Sequence, residues 1–237
     1  MRSGWEQRLP LAGSSLESAF RTHPDAVRYS GRGAVWSVPA GDGDRAVLRH
    51  YRHGGLLAPL TGDVFFGRTP RPVRELEVSE ALRERGGRTP EILALFWKRA
   101  GPGLYRADLI TREVSGASDL ASWLAQPRPA AERRRILAEV GRTLASLHAA
   151  GLHHPDLNLK NLLISKGEVW VLDLDRAWLG EPLAERDAVV QLKRLERSFR
   201  KLSRTRRLAS EREALSVLRA YHGRRWRRAF ATHWSRS

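Results

Sequence analysis

The chain of 237 residues contains no cysteine. This absence excludes disulfides, zinc–thiolate sites and catalysis by a thiol. Long apolar runs are missing too, since no stretch approaches the roughly 18 apolar residues that a membrane-spanning helix needs. The N-terminal residues also lead into no apolar core of a signal peptide. We therefore expect a globular protein of the cytoplasm that contacts a membrane only peripherally.

Lysine is scarce, because only five of the 42 basic residues are lysines and the first of them is Lys98. A role that needs a permanent cation before that position must fall to arginine. The positive charge is also uneven: residues 191–237 hold 15 basic and 3 acidic residues, a net +12, whereas the first 190 hold 27 and 23, a net +4. A basic segment of this kind suits an anionic partner.

The basic segment predicts two amphipathic helices, over residues 185–202 and 209–230. Near its end, Trp226, Phe230 and Trp234 recur at a spacing of four among arginines. This spacing places the aromatic rings on one helix face. That face either docks in the interface of an anionic membrane or packs on the rest of the protein.

The strongest motif is His-Pro-Asp-Leu-Asn-Leu-Lys-Asn at residues 154–161, followed by two apolar runs and by Asp-Leu-Asp at residues 173–175. It matches the spacing of a kinase catalytic loop, and Asp173 stands where the D-F-G aspartate would be, 17 residues after Asp156. Asp156 suits the base that takes a proton from an attacking hydroxyl, while Asn161 and Asp173 suit oxygen ligands of Mg²⁺. The alternative is a plain hairpin whose Asp and Asn serve turns, and five matching positions disfavour it.

Phosphate-binding candidates lie in the first half of the chain. Gly31 and Gly33 form a G-x-G turn in a predicted hairpin, with Val38 at the position of the valine in a kinase glycine-rich loop. A G-x-G turn lets backbone N–H groups approach phosphate, although a plain hairpin turn explains it equally well. We expect these residues to bind the nucleotide.

Arg49 ends a predicted strand, at the position where a kinase has its phosphate-contacting lysine. A guanidinium can replace that lysine because it binds phosphate and carboxylate in a bidentate manner. Its predicted partner is Glu75 of a helix over residues 72–85, and periodicity leaves Glu77 as the alternative. Arg49 as an ordinary surface arginine also stays open.

The order of elements predicts an α+β fold with two lobes, like that of protein kinases. Residues 1–113 would form a small antiparallel β-rich N-lobe, and residues 114–237 a mainly helical C-lobe with a long helix from about Ala130 that Gly151 caps. Between them lies a polar link beginning near Glu113, whose backbone would meet adenine. No A-P-E motif follows Asp175, which argues against a protein substrate.

Several stretches together resemble the lipopolysaccharide kinases of Gram-negative bacteria, and in particular the members that phosphorylate 3-deoxy-D-manno-octulosonic acid (Kdo). These stretches are residues 47–55, 105–111, 156–158 and 192–198. The resemblance implies a protein-kinase-like fold and ATP-dependent phosphorylation of the 4-hydroxyl of Kdo on Kdo-lipid A, at the cytoplasmic face of the inner membrane. By position, it implies Asp156 as base, Asn158 as a further catalytic-loop residue, Asn161 and Asp173 as metal ligands and Arg49 as a phosphate contact.

Other functions are compatible with the same fold. One is a kinase of heptose or of another small molecule, and another is a pseudokinase that only binds ligands. The complete set of Asp156, Asn161 and Asp173 argues against the pseudokinase. No nucleic-acid-binding motif accompanies the basic segment, so we expect its partners to be Kdo-lipid A and the anionic surface of the inner membrane.

Overall fold

The computed structural model describes residues 15–29, 35–52, 62–67, 69–203 and 210–223. These residues form two compact units. The first comprises the described residues up to Ser79 together with Pro90–Ser115, and the second comprises Glu80–Thr89 together with the described residues from Gly116 onward. The functional division that we expect at residues 113 and 114 stays a prediction.

The first unit is built on an antiparallel sheet. Its elements, in chain order, are α1 (Leu16–Thr22), β1 (Val27–Tyr29), β2 (Val35–Pro39), β3 (Arg45–His50), β4 (Phe65–Phe66), α2 (Arg71–Glu84), β5 (Ile92–Gly101) and β6 (Leu104–Arg112). The strand order is β1-β2-β3-β6, and β4 and β5 also pair with β6. The predicted hairpin across residues 27–38 is confirmed by the antiparallel pairing of β1 with β2.

One apolar cluster of this unit lies between the sheet and α1, and another packs against Leu76 of α2. Phe20 of α1 is fully buried against Val38 of β2 and Leu48 of β3. The sequence did not lead us to predict this helix. Ser15 caps the N-terminus of α1 by accepting a hydrogen bond from the Ser18 amide at 3.1 Å.

The second unit is mainly helical. Its elements after the end of α2 are β7 (Ser118–Asp119), α3 (Leu120–Ala125), α4 (Ala130–Ala149), β8 (Leu152–His153), a 3₁₀ turn (Leu159–Asn161), β9 (Leu162–Ser165), β10 (Glu168–Val171), β11 (Trp178–Leu179), α5 (Glu185–Ser203) and α6 (Glu211–His222). The α+β fold with an antiparallel N-terminal sheet and a helical C-terminal part is therefore confirmed.

The long helix α4 begins at Ala130, as its sequence predicts. Ile136, Val140, Leu144 and Leu147 recur in the sequence at spacings of four, four and three, which predicts one buried helix face, and all four are buried. Among the residues that the structure describes, no helix combines the length and the apolar character needed to cross a membrane. The aromatic positions 226, 230 and 234 lie outside the described residues.

Gly151 follows α4 and turns the chain into β8. Its φ of +84° lies in the left-handed region, and a Cβ there would stand 2.0 Å from the carbonyl oxygen of Gly180. The two backbone segments are in direct contact here, since the amide of Gly180 donates a hydrogen bond to the carbonyl of Gly151 at 2.9 Å. Only glycine satisfies both the backbone conformation and this contact.

Replacing Gly151 by alanine should lower the free energy of unfolding by about 2–5 kcal/mol. The left-handed conformation costs a side chain about 1–2 kcal/mol, and overpacking against a neighbouring backbone costs about 1–3 kcal/mol more. Urea-induced unfolding measures the loss.

Gly116→Ala is the matched control for this change. Gly116 also has a positive φ of 64°, but a Cβ there meets no atom within 4 Å. Only the conformational cost of about 1–2 kcal/mol applies to it. Equal losses in the two variants would show that the approach to Gly180 does not require glycine.

Candidate catalytic site

The loop between β8 and β9 is organised around the backbone carbonyl of Asp156. The side-chain amides of Asn158 and Asn161 both donate hydrogen bonds to this carbonyl, at 2.8 and 2.9 Å. Asn158 also caps the 3₁₀ turn, because its carbonyl oxygen accepts from the Lys160 amide at 2.9 Å. Two of the predicted site residues thus fix the backbone of a third and determine where its carboxylate points.

The carboxylate of Asp156 itself is half-buried. Within the described part of the chain, no group donates a hydrogen bond to it, so the bonds that hold this residue use its main chain. A carboxylate held in this way keeps its acceptor capacity for a substrate hydroxyl.

The hairpin of β9 and β10 brings Asp173 next to this loop. Val171 pairs with Leu162, and the ladder continues where the amide of Leu172 donates to the carbonyl of Asn161 at 2.9 Å. Asp173 follows directly, with a φ of +63°. A left-handed backbone at a residue other than glycine is uncommon and concentrates at functional sites.

His154 links the loop to the segment that carries Asp173. Its Nε2 lies 2.9 Å from the carbonyl oxygen of Leu172, and since a carbonyl can only accept, Nε2 carries the proton. Burial lowers the pKa of His154, although this carbonyl bond and the charges of Asp173, Asp156 and Asp175 oppose the shift. The imidazole is therefore neutral and serves as a structural bridge.

Helix α5 anchors the same loop from the other side. The buried Gln191 accepts a hydrogen bond from the His154 amide through Oε1 at 3.0 Å, and Ser198 accepts from the Leu159 amide at 3.3 Å. Sequence reasoning missed Gln191. A signal was present, because it falls between Ala188 and Leu192 on the apolar face of α5 and interrupts that face with a polar side chain.

His148 of α4 lies in the same polar network. Its Nδ1 is 2.7 Å from the Tyr221 hydroxyl of α6. Burial lowers the pKa of His148 to about 4, while a hydrogen bond with Gln191 opposes the shift. Burial also raises the pKa of Tyr221 to about 12, so both groups are uncharged at neutral pH.

In the first unit, Arg49 and Glu75 form an ion pair, in which Nη2 of Arg49 contacts Oε2 of Glu75. Glu75 is buried on α2, whereas the alternative Glu77 is exposed. Tyr51, which the sequence did not single out, touches both members of the pair. The phosphate-binding role of Arg49 stays a prediction.

The other predicted nucleotide contacts are also in the first unit. The amide of Glu113 donates a hydrogen bond to the carbonyl of Arg45 at 2.8 Å. The carboxylate of Glu113 accepts hydrogen bonds from Tyr29 at 2.9 Å, from Arg45 and from Ser37. The Glu113 amide is thus occupied, and its carbonyl is the group that a nucleotide could use. Val38 is fully buried in the core.

The nucleotide-binding roles of Glu113 and Val38 stay predictions. Gly31 and Gly33 lie outside the described residues.

The donor set of the second unit fits Mg²⁺. In the described ranges no group of three or more His, Cys, Asp and Glu side chains could hold a metal ion. Asn161 and Asp173 instead offer a carboxamide oxygen and a carboxylate, which are hard ligands. Mg²⁺ keeps several waters and takes further oxygens from substrate phosphates, so two protein ligands are sufficient.

Comparisons with known proteins place this site in a family context. A sequence profile described as the lipopolysaccharide kinase (Kdo/WaaP) family matches residues 18–221. A 3-deoxy-D-manno-octulosonic acid kinase of Xylella fastidiosa (strain M12) is 36% identical over 220 residues, which cover 91% of this chain and 82% of the relative. Proteins of the same name match from Stenotrophomonas maltophilia (strain R551-3), 36% identical with 89% of this chain and 80% of the relative covered, and from Vibrio cholerae serotype O1 (strain ATCC 39315 / El Tor Inaba N16961), 33% identical with 81% and 80% covered.

A solved structure, WaaP in complex with acyl carrier protein, shares the fold. It matches with a TM-score of 0.59 and 20% sequence identity, over 96% of this chain and 88% of that chain. At this identity the likeness concerns the fold alone.

Proposed function

The chain belongs to the lipopolysaccharide kinase (Kdo/WaaP) family and is a phosphotransferase, and from this premise we propose that it transfers the γ-phosphoryl group of ATP to a hydroxyl of Kdo on Kdo-lipid A. The observation that carries the proposal is the 33–36% identity, over most of the chain, to proteins named 3-deoxy-D-manno-octulosonic acid kinase. The Asp-Leu-Asn loop favours the Kdo kinases over the related heptose kinases, and the resemblance to the Kdo kinases implies the 4-hydroxyl as the acceptor.

Asp156 is the general base in this proposal. Its carboxylate accepts the proton of the attacking sugar hydroxyl while the oxygen of that hydroxyl forms the bond to the γ-phosphorus, and the bond from this phosphorus to the bridging oxygen breaks, so that ADP leaves. The bonds from Asn158 and Asn161 to the Asp156 carbonyl support this role, because they hold the residue without using its carboxylate oxygens. Positioning of the base and the hydroxyl is the main contribution that a kinase makes to this reaction.

Asn161 and Asp173 would hold Mg²⁺, which neutralises charge that develops on the phosphates during transfer. The Asn161 amide nitrogen is used in the bond to Asp156, so its carbonyl oxygen is the ligand atom. Arg49 contributes a fixed positive charge to the phosphates of ATP, in place of the lysine that this part of the chain lacks. Gly31, Gly33, Val38 and the Glu113 carbonyl complete the proposed nucleotide contacts.

Asp156→Asn should lower kcat by about 10²–10⁴-fold, because the amide cannot accept the proton that the carboxylate accepts. Single-turnover transfer of labelled phosphate measures the loss, and ATP binding and thermal unfolding should stay near those of the parent. Asp187→Asn, an isosteric change on the solvent-facing start of α5, is the control and should retain full activity. More than about a tenth of the activity in Asp156→Asn would remove this residue from the role of base.

The acceptor is tested by incubating the protein with labelled ATP and a panel of lipid A precursors. Phosphate should enter precursors that carry Kdo and should not enter the same precursors without Kdo. Heptose-containing acceptors test the related alternative. Mass spectrometry of the product locates the phosphate, and labelling at a position other than the 4-hydroxyl would correct the regiochemistry while leaving Kdo as the acceptor.

We further propose that the basic C-terminal segment holds the protein at the cytoplasmic face of the inner membrane, where Kdo-lipid A would be found. Support comes from the net +12 of residues 191–237 and from the exposure of Arg197, Arg200 and Lys201 on α5. A basic side chain near an anionic surface contributes on the order of 1 kcal/mol. The effect fades within a Debye length, about 8 Å at physiological salt.

Sedimentation with anionic liposomes tests the membrane proposal. Binding should weaken as salt rises and should fall in the double variant Arg197→Glu/Lys201→Glu. Lys98→Glu/Arg99→Glu is the matched control, since it changes net charge equally on an exposed part of β5 and should bind like the parent. No binding of the full chain at low salt would contradict the proposal.

A further inference from the structure

We infer that Tyr51 is a positioning residue for the nucleotide, whose hydroxyl fixes the orientation of the Arg49 guanidinium. The inference rests on the proposed function, in which Arg49 contacts the phosphates of ATP. Tyr51 lies in one of the stretches that carry the family resemblance, residues 47–55, but the sequence assigned it no role. Its role follows from what its hydroxyl and its ring contact.

The three side chains form a closed triangle of hydrogen bonds. Nη2 of Arg49 donates to the hydroxyl of Tyr51 at 2.5 Å and to Oε2 of Glu75. The Tyr51 hydroxyl in turn donates to the same Oε2 atom. The tyrosine therefore accepts from the cation and donates to the anion, which a phenol can do with a single group.

Burial increases the importance of this triangle. Glu75 and Tyr51 are each 6% exposed, so water does not replace a hydrogen bond that either loses. Without Tyr51, the Glu75 carboxylate would lose one of its two described donors. The Arg49 side chain is 29% exposed, which leaves the guanidinium at the boundary between the buried pair and solvent.

The Tyr51 ring supports the guanidinium as well. Cζ of Arg49 lies 4.6 Å from the ring centroid, within the range of a cation–π contact. Tyr51 and Arg49 are two residues apart in and just after β3, so their side chains point to the same face of the sheet. The Tyr51 hydroxyl thus contacts one nitrogen of the guanidinium, and the Tyr51 ring contacts its central carbon.

An aromatic stack fixes Tyr51 in turn. Its ring packs edge-on against Phe65, with centroids 6.2 Å apart, and Phe65 stacks on Tyr105 at 5.8 Å. The Tyr105 hydroxyl accepts a hydrogen bond from the Arg71 amide, at 2.9 Å, where α2 begins. Since α2 carries Glu75, the stack holds both ends of the triangle in register.

An arginine needs such a support more than a lysine does. An ammonium group is a compact charge that can rotate, whereas a guanidinium is a planar fork whose bonds depend on its orientation. At a position where kinases use lysine, the fork must be held in one plane to contact phosphate. Tyr51 supplies that constraint.

Tyr51→Phe should weaken ATP binding about fivefold to tenfold, which is within the range expected for the loss of one hydrogen bond. Titration calorimetry of the full chain with ATP and Mg²⁺ measures it directly and needs no acceptor. In steady-state assays, KM for ATP should rise while KM for the acceptor stays unchanged. Arg49→Ala should weaken ATP binding at least as much.

Tyr105→Phe is the matched control. It removes the hydroxyl of another buried tyrosine in the same stack, and that hydroxyl has no contact with Arg49 or Glu75 among the described residues. It should lower thermal stability as Tyr51→Phe does and leave ATP binding within about twofold of the parent. Similar weakening in both variants would overturn the inference.

A double-mutant cycle shows whether Tyr51 acts through Arg49. In the Arg49→Ala background, Tyr51→Phe should cost less than about twofold, because coupled residues are not additive. Effects that multiply would overturn the inference and leave the role of Arg49 intact. ATP binding unchanged in Arg49→Ala would overturn both, whereas the identity of the acceptor is tested separately by the lipid A panel.

Discussion

The hydrogen bond from the His154 imidazole to the Leu172 carbonyl connects the two segments on which the proposed chemistry of the second unit depends. One segment leads to Asp156 and the other to Asp173. The imidazole is buried and the bond is partly buried, so breaking it would leave polar groups without a partner, which costs free energy. Burial lowers the pKa of His154, so the ring is neutral at neutral pH.

A different constraint organises the first unit, namely the burial of the Glu75 carboxylate. A buried charge is stable only when paired and hydrogen-bonded, and here Arg49 and Tyr51 meet that requirement together. Satisfying Glu75 therefore determines where β3 and α2 lie relative to each other. The same contacts that stabilise this part of the unit also fix a positively charged group at its surface.

The sequence was sufficient to predict elements whose signal is local. The spacing of Asp156, Asn161 and Asp173 depends on short loops and a hairpin, and the buried face of α4 follows from helical period, so both could be predicted from the sequence. The contacts of Gln191 and Tyr51 could not be predicted, because their partners lie 37 residues away at His154 and 24 residues away at Glu75. Periodicity shows which face of an element is buried, but it does not show which distant group that face meets.

At Asp173, contacts between residues distant in the sequence offset the free-energy cost of a strained backbone conformation. Its left-handed backbone conformation costs about 1–3 kcal/mol at a residue other than glycine. The preceding residue, Leu172, is held at both polar groups: its amide donates to Asn161 and its carbonyl accepts from His154. Two hydrogen bonds at about 0.5–1.5 kcal/mol each offset a strain of this size. The hydrogen bonds that hold Leu172 thus offset the cost of the left-handed backbone at Asp173.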